Sequence, residues 1–411
     1  MEENDYQAYF SSAARLMRPN AIRALSKYVN RTDVISFAGG YPSAETFPID
    51  EIGEITARLI RDHGPSVLQY GLTRGTEEFR QYLKESLPAI LGPVEIDQLQ
   101  ITTGSQQGLD TVCRILIDPG DVAFLELPSY IGAMSCINNL GAEMVGVRLQ
   151  EDGIDMDHLR EQIVETKRAG KRAKLIYTVP NFQNPAGVTM SIAKRQELLK
   201  IASENDLLII EDDPYGDIHF YEEHINNPDR PPELLPIRYY DETGDKTGRV
   251  IYLGSFSKVL VPGIRTGFVV APAALARKLE YAKEAADVCC SILDQSIANA
   301  ACRQGLVRDR LPKIRKFYRN RCNAMLDTLG ENATPKTHWI KPDGGLFVWV
   351  ELDKQIDAAD LLKQTVENGV VFVPGQPFFV NGEGANTLRL AFSKETPENI
   401  VEGVRRICQS L

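Results

Sequence analysis

The feature that most constrains the fold is an alternation of short apolar runs with longer helical patterns between about residues 95 and 275. This pattern is typical of parallel strands that are covered by helices on both faces of a sheet. The runs that we interpret as strands are Gln100–Thr103, Val122–Glu126, Glu143–Val147, Leu175–Val179, Leu207–Glu211, Val250–Gly254 and Gly267–Val270. The helical patterns between them include Gln106–Leu116, Ile131–Leu140 and Ile192–Asn205. The sequence therefore predicts an α/β fold with three layers and a mostly parallel sheet.

The rest of the chain predicts a smaller α+β domain, since 411 residues exceed what one hydrophobic core usually serves. A helical pattern runs from Pro272 to about Leu329, with an expected break near Asp309–Pro312. The strand patterns that follow it are Gly345–Val350, Val370–Val373 and Thr387–Phe392. We expect residues 1–40 to pack on the small domain, residues 41–290 to form the large ligand-binding domain, and residues 291–411 to form the small C-terminal domain. The Pro- and Asn-rich segment Asn226–Pro236 predicts a surface loop.

Composition narrows the class of partner. The net charge of -10 disfavours nucleic acid and anionic membranes, so small molecules are the expected partners. An apolar run long enough to cross a bilayer is missing and the first residues are acidic and polar, which predicts a cytoplasmic protein without membrane contact. The seven cysteines and five histidines form no metal-ligand spacing, so neither a metal site nor disulfides are expected.

The sharpest motif is Ser255-Phe256-Ser257-Lys258, directly after an apolar strand and followed by Arg265. The hydroxyls and the arginine could hold a phosphate while the lysine amine reaches a carbonyl carbon to form an imine. Taken alone, a lysine after a strand is more often a solvated surface charge.

A second motif, Glu211-Asp212-Asp213-Pro214-Tyr215, follows the apolar run LLII. It places Asp212 at the carboxyl end of a buried parallel strand, where open α/β sheets bind their ligands. A carboxylate buried there needs a positive partner, and a protonated ring nitrogen would be one. The alternative is that Asp212 is only a turn or capping acid.

Two further motifs also follow apolar strands. The segment NFQNPAG, from Asn181 to Gly187, would form a tight turn on composition alone, but Asn184 and Tyr215 could also donate hydrogen bonds to a phenolate oxygen. The segment TGSQQG, from Thr103 to Gly108, opens a helix whose first backbone N–H groups could bind an anion or could simply be capped.

In this order the four motifs resemble the fold type I pyridoxal phosphate-dependent aminotransferases of class I and II, and the likeness covers nearly the whole chain. The segments ISFAGGYPSAETFP, LQYGLTRGTEEFR and NTLRLAFS are similar to the branch that contains 2-aminoadipate, kynurenine and aromatic amino acid aminotransferases. A related domain is also fused behind a winged-helix module in bacterial regulators, and this sequence shows no such module.

The resemblance implies roles for residues around pyridoxal 5′-phosphate. Lys258 would form the imine with the cofactor, Asp212 would pair with the ring nitrogen, and Asn184 and Tyr215 would contact the ring oxygen. The phosphate would be bound by Ser105, Gln106, Ser255, Ser257 and Arg265. Tyr130 would stack on the ring, where aspartate aminotransferases carry Trp, and Tyr70 would reach the phosphate in the neighbouring subunit, which implies a homodimer with shared active sites.

The resemblance also implies how substrates bind. Arg389 would grip the α-carboxylate together with Asn184 and the backbone at Gly40, and Arg23 would meet an acidic side chain. The expected reaction exchanges an amino group between an aromatic, 2-aminoadipate, branched-chain or glutamate donor and a 2-oxo acid such as 2-oxoglutarate, with Lys258, Asp212 and Tyr215 as the catalytic residues. A lyase or decarboxylase using the same cofactor, and a cofactor-binding sensor without catalysis, remain open at this point; a Rossmann-type nucleotide binder is disfavoured because no GxGxxG follows the early strands.

Overall fold

A computed structural model describes residues 3–19 and 33–411. The strands of this part of the chain, numbered in order, are β1 (Ile35–Ser36), β2 (Leu99–Thr102), β3 (Val122–Leu127), β4 (Glu143–Gln150), β5 (Gly153–Ile154), β6 (Ala173–Thr178), β7 (Leu208–Asp212), β8 (Val250–Ser255), β9 (Gly267–Val270), β10 (His338–Trp339), β11 (Phe347–Glu351), β12 (Val370–Val371), β13 (Val373–Pro374) and β14 (Thr387–Ala391). The α-helices are Ser12–Leu16, Ile49–Val67, Glu77–Ser86, Pro88–Leu91, Gly104–Leu116, Ile131–Asn138, Met156–Arg168, Ile192–Glu204, Ile237–Thr243, Ala273–Asp287, Ile292–Arg303, Leu306–Asn332, Ala358–Glu367 and Pro397–Gln409. Short 3-10 helices span Glu3–Tyr9, Ala44–Thr46, Ile96–Gln98, Glu222–His224, Pro232–Leu234 and Gln376–Phe378.

The largest sheet has eight strands in the order β2-β9-β8-β7-β6-β3-β4-β5. The strands from β8 to β4 run parallel, whereas β9 is antiparallel to both of its neighbours and β5 is antiparallel to β4. The prediction of an α/β fold with a mostly parallel sheet is confirmed, and each predicted strand is present with ends that differ by a few residues at most.

The sheet is a middle layer because alternate side chains of a strand point to opposite faces. On β3, Ala123 and Leu125 pack in one core cluster with Leu109 of the helix Gly104–Leu116, whereas Val122 and Phe124 pack in another. That second cluster also contains Leu198 of the helix Ile192–Glu204. Helices therefore cover both faces of the sheet, as the buried apolar runs predict.

A second sheet of four antiparallel strands follows in the order β10-β11-β14-β13. The predicted strand Val370–Val373 is in fact two short strands, β12 and β13, that belong to different sheets. Strand β1 pairs in parallel with β12, with Ile35 opposite Val370. This pairing brings the segment before Gly40 next to the C-terminal part of the chain.

One prediction about local structure is wrong, and a second is incomplete. The helical pattern does not break near Asp309–Pro312, because Pro312 lies within the helix Leu306–Asn332. The breaks fall instead at Val288 and at Gly305, where φ is 64° and 78° and the chain leaves the helical region. A proline removes one backbone hydrogen bond, and the burial of the neighbouring Leu311 and Ile314 holds the helix together across that position.

The segment Asn226–Pro236 is not only a surface loop. Leu234 is fully buried, and the backbone carbonyls of Asn227 and Pro228 accept hydrogen bonds from the buried Arg315. The loop is therefore fastened to the helix Leu306–Asn332.

The parallel strands place their carboxyl ends along one edge of the large sheet. Strands β3, β6, β7 and β8 end there at Leu127, Thr178, Asp212 and Ser255, so the loops that follow them start side by side. In an open α/β sheet this is the edge at which ligands bind. In the two described stretches of the chain, no helix is long and apolar enough to cross a membrane.

Candidate active site

Lys258 lies in the turn after β8, and its amine faces the segment that follows β1. Its Nζ atom donates a hydrogen bond of 3.0 Å to the backbone carbonyl of Gly40. Burial, reinforced by the positive charges of Arg265 and Arg389, lowers the pKa of this amine to about 8. A lysine with such a pKa is neutral in a substantial fraction of molecules near neutral pH, so it can act as a nucleophile or base.

Asp212 ends β7 and is 4% exposed. Its Oδ2 atom accepts a hydrogen bond of 2.9 Å from the Tyr177 hydroxyl, while its buried Oδ1 atom has no hydrogen-bond partner among the described residues. Burial raises the pKa of the Asp212 carboxyl to about 7. The hydrogen bond from Tyr177 lowers this pKa, whereas the negative charge of Asp213 raises it. A protonated ring nitrogen would satisfy this oxygen and restore the ionised form, so the residue fits the pyridine of pyridoxal phosphate.

Asn184 and Arg389 form one buried unit. One nitrogen of the Arg389 guanidinium donates a hydrogen bond of 2.9 Å to the Asn184 side-chain oxygen. Another nitrogen donates a hydrogen bond of 2.8 Å to the carbonyl of Ala38. Arg389 is 1% exposed, its Nε atom has no partner among the described residues, and burial lowers its pKa to about 10. It stays charged at neutral pH and keeps unused donors, which a carboxylate could accept in parallel.

Tyr215 lies beside Asn184. The Asn184 side chain hydrogen-bonds the Tyr215 phenol, and burial raises the pKa of that phenol, so it stays protonated and able to donate. The Tyr215 ring packs edge-on against Phe347, with ring centroids 5.8 Å apart. Tyr215 thereby has neighbours from the turn after β6 and from β11.

Gly40 leaves no room for a side chain. A Cβ atom built there would lie 2.6 Å from the Phe347 ring, so only glycine allows the backbone to pass between Phe347 and Lys258. The predicted role for this glycine, a close backbone approach, therefore has a steric basis.

The residues predicted to bind phosphate gather at the start of the helix Gly104–Leu116. The Nη1 atom of Arg265 donates a hydrogen bond of 3.4 Å to the Ser257 hydroxyl. The backbone N–H of Ser257 donates a hydrogen bond of 3.2 Å to the Ser255 hydroxyl. A Cβ atom at Gly104, whose φ is 75°, would lie 2.6 Å from the Arg265 guanidinium. Ser105 follows directly, so hydroxyls, a guanidinium and the first helical N–H groups share one place, which suits a phosphate.

Tyr130 precedes the helix Ile131–Asn138 and donates a hydrogen bond of 3.0 Å from its hydroxyl to the Gln106 side chain. Burial raises its pKa to about 12, with a further rise from the negative charge of Asp212 and an opposing effect of Arg389 and Arg265. These electrostatic neighbours place the ring among the other candidate residues. A flat ring there could stack on a flat ligand.

Tyr70 is not buried with this group in the described residues, and the predicted site residue Arg23 lies outside those residues. Tyr70 is 80% exposed, and its neighbours in sequence Leu68 and Leu72 are 67% and 61% exposed.

Three buried residues next to the site were not identified from the sequence. Tyr177 binds Asp212, and Glu126 and Gln183 bind each other beneath the turn that carries Asn184. All three lie in or beside apolar strands, where the pattern indicates core residues. A polar residue inside an otherwise apolar run, as Glu126 is in VAFLEL, is the signal that could have revealed one of them.

Comparisons with known proteins agree with this geometry. Residues 32–407 match the family described as aminotransferase class I and II. The chain is 40% identical over 408 residues to an aromatic-amino-acid aminotransferase of Thermococcus litoralis, covering 99% of this chain and 95% of that protein.

Solved structures agree as well. A kynurenine aminotransferase of Pyrococcus horikoshii, solved with PMP and KYN as substrates and KYA as products, is 38% identical with a TM-score of 0.91, covering 99% of this chain and 97% of that one. An alpha-aminoadipate aminotransferase of Thermus thermophilus, complexed with N-(5′-phosphopyridoxyl)-L-leucine, is 37% identical with a TM-score of 0.89, covering 99% of this chain and 98% of that one. The sequence motifs, the fold and the relatives agree on the family. This chain belongs to the class I and II aminotransferases, enzymes that transfer amino groups with pyridoxal 5′-phosphate.

Proposed function

We propose that the enzyme exchanges amino groups at the site around Lys258, with glutamate and 2-oxoglutarate as one couple and an aromatic, 2-aminoadipate or branched-chain amino acid as the other. The observation that supports the placement is a pair of groups at the same sheet edge, the half-buried Lys258 amine and the buried Asp212 carboxylate, that have no oppositely charged partner among the described residues. Relatives named for aromatic amino acids, kynurenine and aminoadipate support the substrate class.

The residues of the chain have separate tasks in this proposal. Pyridoxal phosphate, when bound, supplies an aldehyde carbon that carries the amino group and a ring that withdraws electrons from it. Ser105, Gln106, Ser255, Ser257 and Arg265 hold its phosphate, Tyr130 covers its ring, and Asn184 and Tyr215 donate to its ring oxygen. Asp212 keeps the ring nitrogen protonated.

Substrate binding and proton transfer fall to Arg389 and Lys258. The free donors of Arg389 take the substrate α-carboxylate beside Asn184 and Gly40, which fixes the Cα–H bond relative to the lysine. The Lys258 amine, with its pKa near 8, would then remove the proton from Cα as a general base and return it to the aldehyde-derived carbon of the cofactor.

The experiment that tests this placement is the substitution Lys258→Ala. We expect the visible absorbance of the lysine-bound cofactor to disappear and turnover to fall by about 10³-fold or more, because both the covalent link and the base are lost. The matched control is Lys283→Met, which removes a buried lysine that Asp287 already neutralises; it should lower stability but keep the absorbance. Normal absorbance in Lys258→Ala would refute the placement.

Donor choice is tested with a panel of amino acids and 2-oxo acids. We propose that Arg23 meets the side-chain carboxylate of acidic donors, so Arg23→Ala should lower kcat/KM for glutamate and 2-aminoadipate while phenylalanine turnover stays the same. Equal glutamate turnover in both proteins would remove Arg23 from the proposal. Product formation without any 2-oxo acid would indicate a lyase or decarboxylase instead.

We also propose a homodimer in which Tyr70 reaches the cofactor phosphate of the partner. The exposed apolar group Leu68, Tyr70 and Leu72 supports an interface, because a soluble surface rarely leaves such neighbours uncovered without a partner. Mixing inactive Lys258→Ala and Tyr70→Ala proteins under conditions of subunit exchange should restore activity, since one site of each hybrid then has both residues intact. No recovery in verified hybrids would exclude shared sites.

The remaining proposals concern the whole chain. We propose residues 41–290 as the large cofactor-binding domain, with residues 1–40 packed on the small domain of residues 291–411; the pairing of β1 with β12 supports this division. We propose a cytoplasmic location, supported by the net charge of -10 and by seven cysteines that are all free thiols.

A further inference from the structure

One buried carboxylate joins two of the turns that border the site. Glu126 lies near the end of β3 and is 1% exposed. It accepts hydrogen bonds from the Thr178 hydroxyl, from the Val179 backbone at 3.3 Å and from the Gln183 side chain at 3.0 Å. Glu126 thus reaches from its own strand across to the turn that carries Asn184.

The three donors to Glu126 are uncharged. Burial raises the pKa of its carboxyl to about 7, the hydrogen bonds from Thr178, Gln183 and Val179 oppose that rise, and the charge of Asp212 adds to it. Burying a carboxylate without a cation costs stability, and an apolar side chain of similar size would avoid the cost of burying a charge. Stability alone therefore does not account for an acid at this position.

Gln183 connects Glu126 by hydrogen bonds to the turn before Tyr130 and to the turn that carries Asn184. The side-chain nitrogen of Gln183 donates one hydrogen bond to Glu126 and another, of 2.8 Å, to the carbonyl of Pro128. Its side-chain oxygen accepts a hydrogen bond of 2.7 Å from the Ala186 backbone. Every polar atom of the amide is used. Pro128 lies two residues before Tyr130, and Gln183 directly precedes Asn184, so one amide orients both.

We propose that Glu126 is a positioning residue for the cofactor ring, which acts through Gln183 on Tyr130 and Asn184. The inference rests on the proposed function, because it needs those two side chains to contact the cofactor. Asn184 in turn holds Arg389 at 2.9 Å, so the same carboxylate also influences the group that receives the substrate carboxylate.

The substitution Glu126→Gln separates positioning from simple stability. An amide at this position brings two N–H donors toward Val179 and Gln183, which are donors themselves, so the Gln183 amide must shift from Pro128 and Ala186. The turns of Tyr130 and Asn184 then lose their fixed spacing. The fold should survive, since the new side chain has nearly the same volume.

Glu211→Gln is the matched control. Glu211 is also fully buried, precedes Asp212 on β7, and has a pKa raised to about 7 by burial and by Asp213. Its carboxylate accepts from the backbone of Ile237 and Arg238 at the start of a different helix, so its loss should affect stability but not the cofactor turns.

The test measures the dissociation constant of pyridoxal phosphate from each apo-protein, the visible circular dichroism of the bound cofactor, and the urea midpoint. We expect Glu126→Gln to weaken cofactor binding by about tenfold and to change the circular dichroism, an effect the size of one lost charged hydrogen bond. Glu211→Gln should change binding by less than about twofold at a comparable drop in midpoint. Gln183→Met should reproduce the binding loss with Glu126 intact, and it carries the test if Glu126→Gln fails to fold.

Equal cofactor affinity in Glu126→Gln, Glu211→Gln and the unaltered protein would overturn the inference, as would a Gln183→Met protein that binds the cofactor normally. Lys258→Ala separates this failure from failure of the proposed function. If that variant loses the visible absorbance while Glu126→Gln binds normally, only the role of Glu126 is wrong.

Discussion

Asp212 and Asp213 are neighbours in sequence and each is 4% exposed, yet their surroundings are opposite. Asp213 accepts hydrogen bonds from Asn181 at 3.0 Å, from the Gly216 backbone and from the Tyr252 hydroxyl, and it pairs with Arg230, whose side chain is 3% exposed. Asp212 has only Tyr177, and its second oxygen is left without a partner in the described chain.

The difference shows in the pKa values. Burial alone would raise the pKa of Asp213, but Arg230 and the hydrogen bonds outweigh it and the pKa falls below its usual value. The pKa of Asp212 rises to about 7. A buried acid with every lone pair satisfied stabilises the fold, whereas one that is left short of a cation is suited to a ligand that brings the cation.

The lysines Lys283 and Lys258 show a similar contrast. Lys283 is 1% exposed and pairs with Asp287 at 2.6 Å, whereas the only hydrogen bond that the described residues give the Lys258 amine goes to the neutral carbonyl of Gly40. Lys258, with its pKa near 8, can exchange a proton with a bound substrate. Incomplete pairing therefore distinguishes Asp212 and Lys258 from Asp213 and Lys283.

The largest effect is expected for Asp212→Asn. Without the carboxylate, the ring nitrogen loses its proton and its pull on electrons, so amino transfer should slow by about 10³-fold in single-turnover measurements. The stability of the apo-protein should stay the same or rise, because a buried carboxylate lacking a cation is removed. A rate close to that of the unaltered enzyme would show that Asp212 does not serve the ring.

Arg230→Met should produce the reverse pattern. It leaves the Asp213 carboxylate buried without a cation, so the free energy of unfolding of the apo-protein should fall by about 3–5 kcal/mol. Adding Asp213→Asn should recover most of that loss, because an amide needs no cation there. A single variant as stable as the parent would contradict the view that Asp213 is structural.

The pH dependence of apo-protein stability should separate the two acids. Asp212 has a folded pKa of about 7 and an unfolded pKa of about 3.9, so the folded state binds the extra proton and stability falls as pH rises between these values. Asp212→Asn should therefore reduce the loss of stability, measured as a urea midpoint, between about pH 5 and about pH 7.5.

Asp213 should behave in the opposite sense. Because the pKa of Asp213 is lowered in the folded state, its contribution to stability is present above the pKa of the unfolded state and is lost only at more acidic pH. Asp213→Asn should therefore not remove the fall in stability between about pH 5 and about pH 7.5. If the urea midpoint of the Asp212→Asn protein changes with pH as the midpoint of the parent does, then Asp212 is not the group with the raised pKa.

The smallest effect is expected for Tyr177→Phe. Losing the 2.9 Å hydrogen bond leaves Asp212 held by the cofactor alone, which should raise the pKa of Asp212 further. We expect kcat to fall by about tenfold, near the lower end of the cost of one hydrogen bond to a charged group. KM for the amino donor should change little because Tyr177 does not face the substrate carboxylate. A fall confined to KM would argue that Tyr177 acts elsewhere.

Much of this site follows from local sequence. Lys258, Asp212 and Asn184 each lie at or shortly after the end of an apolar strand, and parallel strands bring such positions to one edge, so the motifs could be identified before any coordinates. Arg389 could be assigned only through the resemblance, since a single arginine in a strand has no local signature.

The difference between Asp212 and Asp213 could not be predicted. The cation that neutralises Asp213 lies in the Pro- and Asn-rich segment Asn226–Pro236, whose composition indicates a surface loop, whereas the structure buries the Arg230 side chain. Tyr177 and Glu126 were missed because their partners come from other strands, and strand register is a tertiary property. The wrong helix break has the same origin, since packing keeps Pro312 in a helix that Gly305 begins.

The most direct measurement is a crystal structure of the enzyme with pyridoxal phosphate bound. Our expectation is that the Lys258 amine is covalently joined to the cofactor and that the free Oδ1 atom of Asp212 lies within about 2.9 Å of the ring nitrogen, with Asp213 still paired to Arg230. A ring nitrogen that faces solvent, with Asp212 Oδ1 still without a partner, would contradict it.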